Sequence, residues 1–152
     1  MQRFKKSTTT FTFLIVLGTL ISITPNFLQT SLAQQVSTDL TGPAGGNLYG
    51  GDQKGSLELS VQNGTVIATA EMDVPPADKQ VYEGWLEDKG DASGYRLSLG
   101  KFNQDDTLSV NQTMVNPYTY TVFFVTAEPV DDPDPNPAGV VAGAQLNSPF
   151  GQ

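Results

Sequence analysis

Four groups of side chains in this sequence have types and spacings that suggest chemistry. Glu87-Asp88 and Asp105-Asp106 are adjacent carboxylate pairs. Paired acids hydrolyse glycosides only when a fixed cleft separates them, and neighbours in polar turns are ordinarily solvated turn formers. Asp132-x-Asp134-x-Asn136 has the alternating oxygens of a calcium loop. It lacks the following glycine and the closing glutamate, and its interleaved prolines favour a stiff extended connector. Trp85 with Tyr82, Tyr95, Tyr118 and Tyr120 has the makings of an aromatic platform for a sugar or peptide, although strand aromatics ordinarily fill a core. Asn63-Gly64-Thr65 and Asn111-Gln112-Thr113 fit the glycosylation acceptor pattern.

Two absences bound the chemistry further. The 152 residues contain no histidine and no cysteine. Serine–histidine and cysteine–histidine mechanisms, disulfides and thiolate-ligated metals are therefore excluded within this chain. No nucleophile–base pair can be named, so no catalytic residue, cofactor or metal is assigned, with Asp132, Asp134 and Asn136 kept as the calcium candidates.

Charge is distributed unevenly. Arg3, Lys5 and Lys6 open the chain, and Phe11–Ile23 is an apolar run of 13 residues broken at Pro25. Ser31-Leu32-Ala33 then places small residues where a signal peptidase reads. Residues 1–33 thus read as a signal-peptide helix, which predicts a periplasmic or secreted product. If the segment is not cleaved, residues 11–32 form the one membrane contact. The residues after Ala33 hold 5 basic and 16 acidic side chains, a net of −11. Such a surface repels phosphate backbones, which excludes nucleic acid as a partner.

The elements that must carry these groups are short strands. Residues 34–54 are dense in glycine and read as a flexible lead-in, with one short strand near 37–40. Leu57–Gln62 alternates apolar and polar residues, Asn63-Gly64 is the dipeptide of a two-residue type I′ hairpin, and Thr65–Met72 returns. That turn pairs Val61 with Val66, Leu59 with Ala68 and Leu57 with Ala70, all apolar and all on one face. Further strands are predicted over 80–86, 95–102, 107–110, 119–127 and 139–145. The segment 119–127 is apolar on both faces, as a central strand should be. No segment has a 3.6-residue apolar period. About seven short strands predict an all-β, antiparallel β-sandwich over 55–146, with a small barrel as the alternative and 147–152 as a tail.

Five motifs occur in a telling order. They are Val81-Tyr82-Glu83-Gly84-Trp85-Leu86, Leu99-Gly100-Lys101-Phe102, Thr126-Ala127-Glu128-Pro129 and Pro137–Gly143, with Val74-Pro75-Pro76 ahead of them. The set resembles the extracellular C-terminal domain of anti-sigma-K factors. The resemblance implies structural roles for Tyr82, Trp85, Gly100, Thr126, Glu128, Pro129, Pro137, Gly139 and Gly143. It also implies a bacterial, non-catalytic, sensory or scaffolding module that meets an envelope or extracellular protein. About ten residues precede the apolar run, so nothing here corresponds to the family's sigma-binding helices. A calcium- or carbohydrate-binding surface module is the second reading.

Overall fold

A computed structural model describes residues 34–88 and 94–151. The expected signal-peptide helix lies outside the described residues. The rest is all-β apart from one 3-10 turn, Pro117–Thr119. Eight strands follow in chain order: β1 Gln34–Ala44, β2 Asn47–Gln62, β3 Thr65–Met72, β4 Gln80–Asp88, β5 Arg96–Lys101, β6 Thr107–Thr113, β7 Tyr120–Pro129 and β8 Gly139–Gln145.

All pairings are antiparallel, and the strands form one sheet in the order β5-β4-β7-β8-β1-β2-β3-β6. A sandwich with two separate sheets is therefore not what the hydrogen bonding makes. One sheet curls until β5 and β6 approach each other, nearly closing a barrel. The join between β8 and β1 is the single pair Thr41 with Gly143, so the sheet bends sharply there.

The β2–β3 hairpin has the register its sequence dictates: Val61 opposite Val66, Leu59 opposite Ala68 and Leu57 opposite Ala70, all buried. Asn63 and Gly64 both have positive φ, 51° and 76°, as a type I′ turn requires. The inward residues of β1, β2, β3 and β6 meet Tyr82, Leu86, Phe123, Val125, Ala142 and Ala144 from β4, β7 and β8 in one apolar core, with Leu97 and Leu99 of β5 packed against it.

The stretch 34–54 corrects the sequence reading. It is not a flexible lead-in but the whole of β1 and the first half of β2. Glycine permits this where backbones come close. A Cβ on Gly143 would lie 2.7 Å from the Leu48 carbonyl, so the β1–β2 arm lies over β8 only because that position is bare. The arm brings Leu48 and Tyr49 onto Trp85, Val122 and Phe124, a second cluster on the outside of the sheet. β7 is accordingly apolar on both faces, and strand residues cover the outer one. The tail that follows β8 packs back on the domain. Phe150 is buried against Tyr118, and Gly151 donates its N–H to the Tyr118 carbonyl at 2.6 Å.

Candidate binding surface

The residues singled out in β4 and β7 converge on the outer face of the sheet. Alternation along β4 sends Tyr82 and Leu86 inward, leaving Glu83, Trp85 and Glu87 outward. Cross-strand pairing sets Glu83 opposite Thr126 and Val81 opposite Glu128. Trp85 Nε1 donates to Thr126 Oγ1 at 2.9 Å. The Thr126 hydroxyl donates to Glu128 Oε1, and that oxygen also accepts the Ala138 N–H at 2.9 Å. Thr126 is fully buried and Glu128 is 2% exposed. One chain of bonds thus runs from the β4 indole to the residue before β8 and ties down the proline-rich connector. Pro129 ends β7, Pro137 precedes the anchored Ala138, and Gly139 starts β8 opposite Ala127. Gly100 sits beside the register break in β5 with φ 109°.

The acid pairs are not pairs in space. Glu87 is a buried strand residue rather than a solvated turn former, and its Oε2 accepts from Arg96 Nε at 3.0 Å. The same guanidinium lies 5.4 Å from the centre of the Phe124 ring, which stacks on Trp85 at 6.3 Å. Arg96 therefore closes the outer cluster by charge pairing and cation–π contact. Asp105 and Asp106 stay in the β5–β6 turn, where Asn103 Oδ1 accepts the Asp105 N–H.

The calcium candidates spend oxygens on their own backbone. Asp132 Oδ1 accepts the Asp134 N–H at 2.8 Å, and Asp134 Oδ1 accepts the Asn136 N–H at 3.0 Å and its side-chain amide at 2.7 Å. Two successive Asx turns make the connector a stiff ladder. Among the described residues no three Asp or Glu gather as a metal would need. The aromatics do not form a platform either. Tyr82 and Tyr120 belong to the inner core, Trp85 to the outer cluster, and Tyr118 packs on Phe150, while Tyr95 is exposed. The two tyrosines of the inner core hold their protons more tightly than usual. Burial raises the Tyr82 phenol above 10.0, with the Asp106 charge adding to it. Burial likewise raises Tyr120, with Tyr95 and Asp88 contributing.

One concave surface went unnoticed in the sequence. It is an open depression of about 580 Å³ between the β3–β4 connector, the start of β4 and the β5–β6 turn. Tyr82 and Phe102, edge to face at 5.9 Å, form its floor, and Pro75, Pro76, Val81 and Val130 line its sides. It continues past Val130 into a second hollow lined by Lys79, Pro129 and Asp131. Val74 and Val130, 53% and 54% exposed, flank it without cover. Among the described residues, two of the three non-glycine residues with positive φ line these hollows: Lys79 at 61° and Asp106 at 54°. Aspartate tolerates that conformation, whereas lysine is strained in it. A turn holds Lys79, with Gln80 N–H donating to Ala77 and Val130 N–H donating to the Lys79 carbonyl. In the sequence, Val74-Pro75-Pro76 is an apolar turn that no strand pattern absorbs, and it supplies one wall of this site.

Fold and surface together define a nearly closed antiparallel β-domain with a buried outer polar network and one open apolar depression. No protein-family model, curated protein or solved structure matches the chain.

Proposed function

We propose that this chain is an exported, non-catalytic binding domain of the anti-sigma-K extracellular type, and that it meets a protein partner through the Tyr82–Phe102 depression. The observation that carries this reading is the depression itself. Apolar side chains stand half-exposed around a preformed hollow, and such uncovered patches mark interaction sites. Lys101 and Asp106 line one hollow and Lys79 and Asp131 the other, so the charge there is balanced on a domain that is acidic in total. A partner segment with an apolar side chain beside an acidic one fits that composition. Among the acids that sequence alone offered for chemistry, Glu87 accepts from Arg96 and Asp132 and Asp134 accept backbone N–H groups, internal bonds that support a binding role. The charged start and the apolar run 11–23 support export, and the motif order supports the family assignment.

The test is site-specific photocross-linking in producing cells. A photoreactive residue at position 81 should capture one discrete envelope or extracellular protein, and the same probe at position 58, on the far side of the sheet, should not. Val130→Asp should remove that product while leaving the melting temperature unchanged. Equal products at both positions, or none at position 81, would refute the reading. N-terminal sequencing of the same material should find Gln34 as the first residue.

A further inference from the structure

The β3–β6 ladder determines which backbone groups of β6 are occupied. Met114 donates its N–H to Gly64 at 2.9 Å, and Asp106 accepts from Met72 at 3.0 Å. Direction alternates residue by residue in an antiparallel ladder, so Leu108, Val110 and Gln112 also turn their N–H and C=O toward β3. Thr107, Ser109, Asn111 and Thr113 turn theirs away. Thr107 is taken up by the β5–β6 turn, its carbonyl accepting from Asn103 N–H at 2.8 Å and its N–H donating to Asn103 Oδ1 at 3.1 Å. Ser109, Asn111 and Thr113 remain as an open hydrogen-bonding edge, since β6 ends the strand order and β5 does not pair with it.

Proteins usually blunt such an edge with lysine, proline or a bulge. β6 has none of these. No charged residue occurs between Thr107 and Ala127, the longest uncharged run after residue 33. Val115, just beyond the strand, is fully exposed.

We infer that β6 is a self-association edge, through which two copies of this chain pair antiparallel with Asn111 on the two-fold axis. The free groups set the register. Outward-directed residues must meet as hydrogen-bonded pairs, so Ser109 faces Thr113 of the second copy and Asn111 faces its own equivalent. Parity then brings Leu108 opposite Met114 on the inner side, and Val115 opposite Thr107 on the outer. Charge also favours this edge, because two acidic bodies, each −11 over the residues after Ala33, approach with least repulsion where neither carries charge. A single strand pair buries less than the ~1,200 Å² of a standard interface, so the dimer exchanges with concentration. The inference is independent of the depression and of any outside partner.

The absence of cysteine makes the test clean. Opposed residues of a hydrogen-bonded antiparallel pair lie about 5.5 Å apart at Cα, within the roughly 4.4–6.8 Å span of a disulfide. In the purified chain, Asn111→Cys is expected to oxidise to a covalent dimer at least about tenfold faster than Glu58→Cys, as the effective concentration across a two-fold axis requires. Asn111→Pro removes an outward N–H and takes no bond from β3. It should abolish concentration-dependent dimerisation in sedimentation equilibrium with the melting temperature retained. If that variant misfolds, Ser109→Lys with Thr113→Lys makes the same test by charge. Cross-linking of Asn111→Cys no faster than Glu58→Cys, or a dimer that survives the edge variants, overturns the inference. Val130→Asp should leave the Asn111→Cys cross-link intact, and its loss there would mean that the copies meet at the depression instead.

Discussion

Replacing Thr126 with valine keeps the shape of the side chain and deletes one hydroxyl, so the consequence follows from that oxygen's two closer bonds, the Glu83 carbonyl lying farther off at 3.5 Å. It accepts from the Trp85 indole at 2.9 Å and donates to Glu128, all within a buried site. Stranding the indole N–H costs ~1–3 kcal/mol, and removing a bond to a carboxyl group costs ~1.5–3 kcal/mol. Glu128 Oε1 keeps the Ala138 N–H, and the new methyl group is favoured by burial, which offsets part of this. The net loss should be about 2–4 kcal/mol. At about 4 °C per kcal/mol for a domain of this size, the melting midpoint should fall by roughly 8–16 °C. Thermal unfolding followed by circular dichroism reads this directly. A double-mutant cycle with Trp85→Phe isolates the bond, because Thr126→Val should cost less once the indole N–H is gone. The expected coupling is about 1–2 kcal/mol. A midpoint shift under about 2 °C, or single effects that add within ~0.5 kcal/mol, would refute the claim that this chain of bonds holds β4, β7 and the connector together.

Two further perturbations test other parts of the fold. Gly143→Ala places a methyl group 2.7 Å from the Leu48 carbonyl and 3.1 Å from that of Phe123, so it should cost about 1–3 kcal/mol and expose Trp85 as the β1–β2 arm lifts, read as a red shift and increased quenching of its fluorescence. Alkaline titration should show two late-ionising phenols: with folded values raised above 10.0 at Tyr82 and Tyr120, their contribution to stability is complete below pH 10.0 and is lost as pH climbs through the higher folded values. Tyr82→Phe should remove one late step from the 295 nm absorbance titration, and phenols that ionise below their unfolded value would contradict the burial described.

The parts legible in the sequence were those set by neighbours along the chain. The β2–β3 register follows from one dipeptide and an alternating pattern, and β8 has the predicted bounds of 139–145. The parts that failed depend on contacts between distant residues. Nothing near Gly42–Gly55 signals a strand, because the sense of those glycines lies in the crossing of the arm over Gly143 roughly ninety residues later. Glu87 looked like a turn acid because its partner Arg96 stands on the neighbouring strand β5, and β4 runs past where polarity suggested it would stop. The depression was illegible because its walls come from three separate segments. The division into two sheets failed on one residue pair, Thr41 with Gly143, too small a feature for any strand pattern to record.

The motifs that suggested a family converge on one structural problem. β7 is apolar on both faces, so its outer side needs a cover, and the nine-residue connector to β8 needs an anchor. Trp85 and Phe124 with the β1–β2 arm supply the first, while Thr126, Glu128 and the Ala138 N–H supply the second. Any chain that solves both with an indole, a threonine and a buried glutamate will carry the same letters in the same order. The resemblance therefore speaks first to how the sheet is closed and only then to what it binds. The proposed recognition uses surfaces outside that Trp85–Thr126–Glu128 network. The two candidates are the proline-sided depression, beside which Lys79 has a positive φ, and the uncharged β6 edge, which lacks the protection edges usually have.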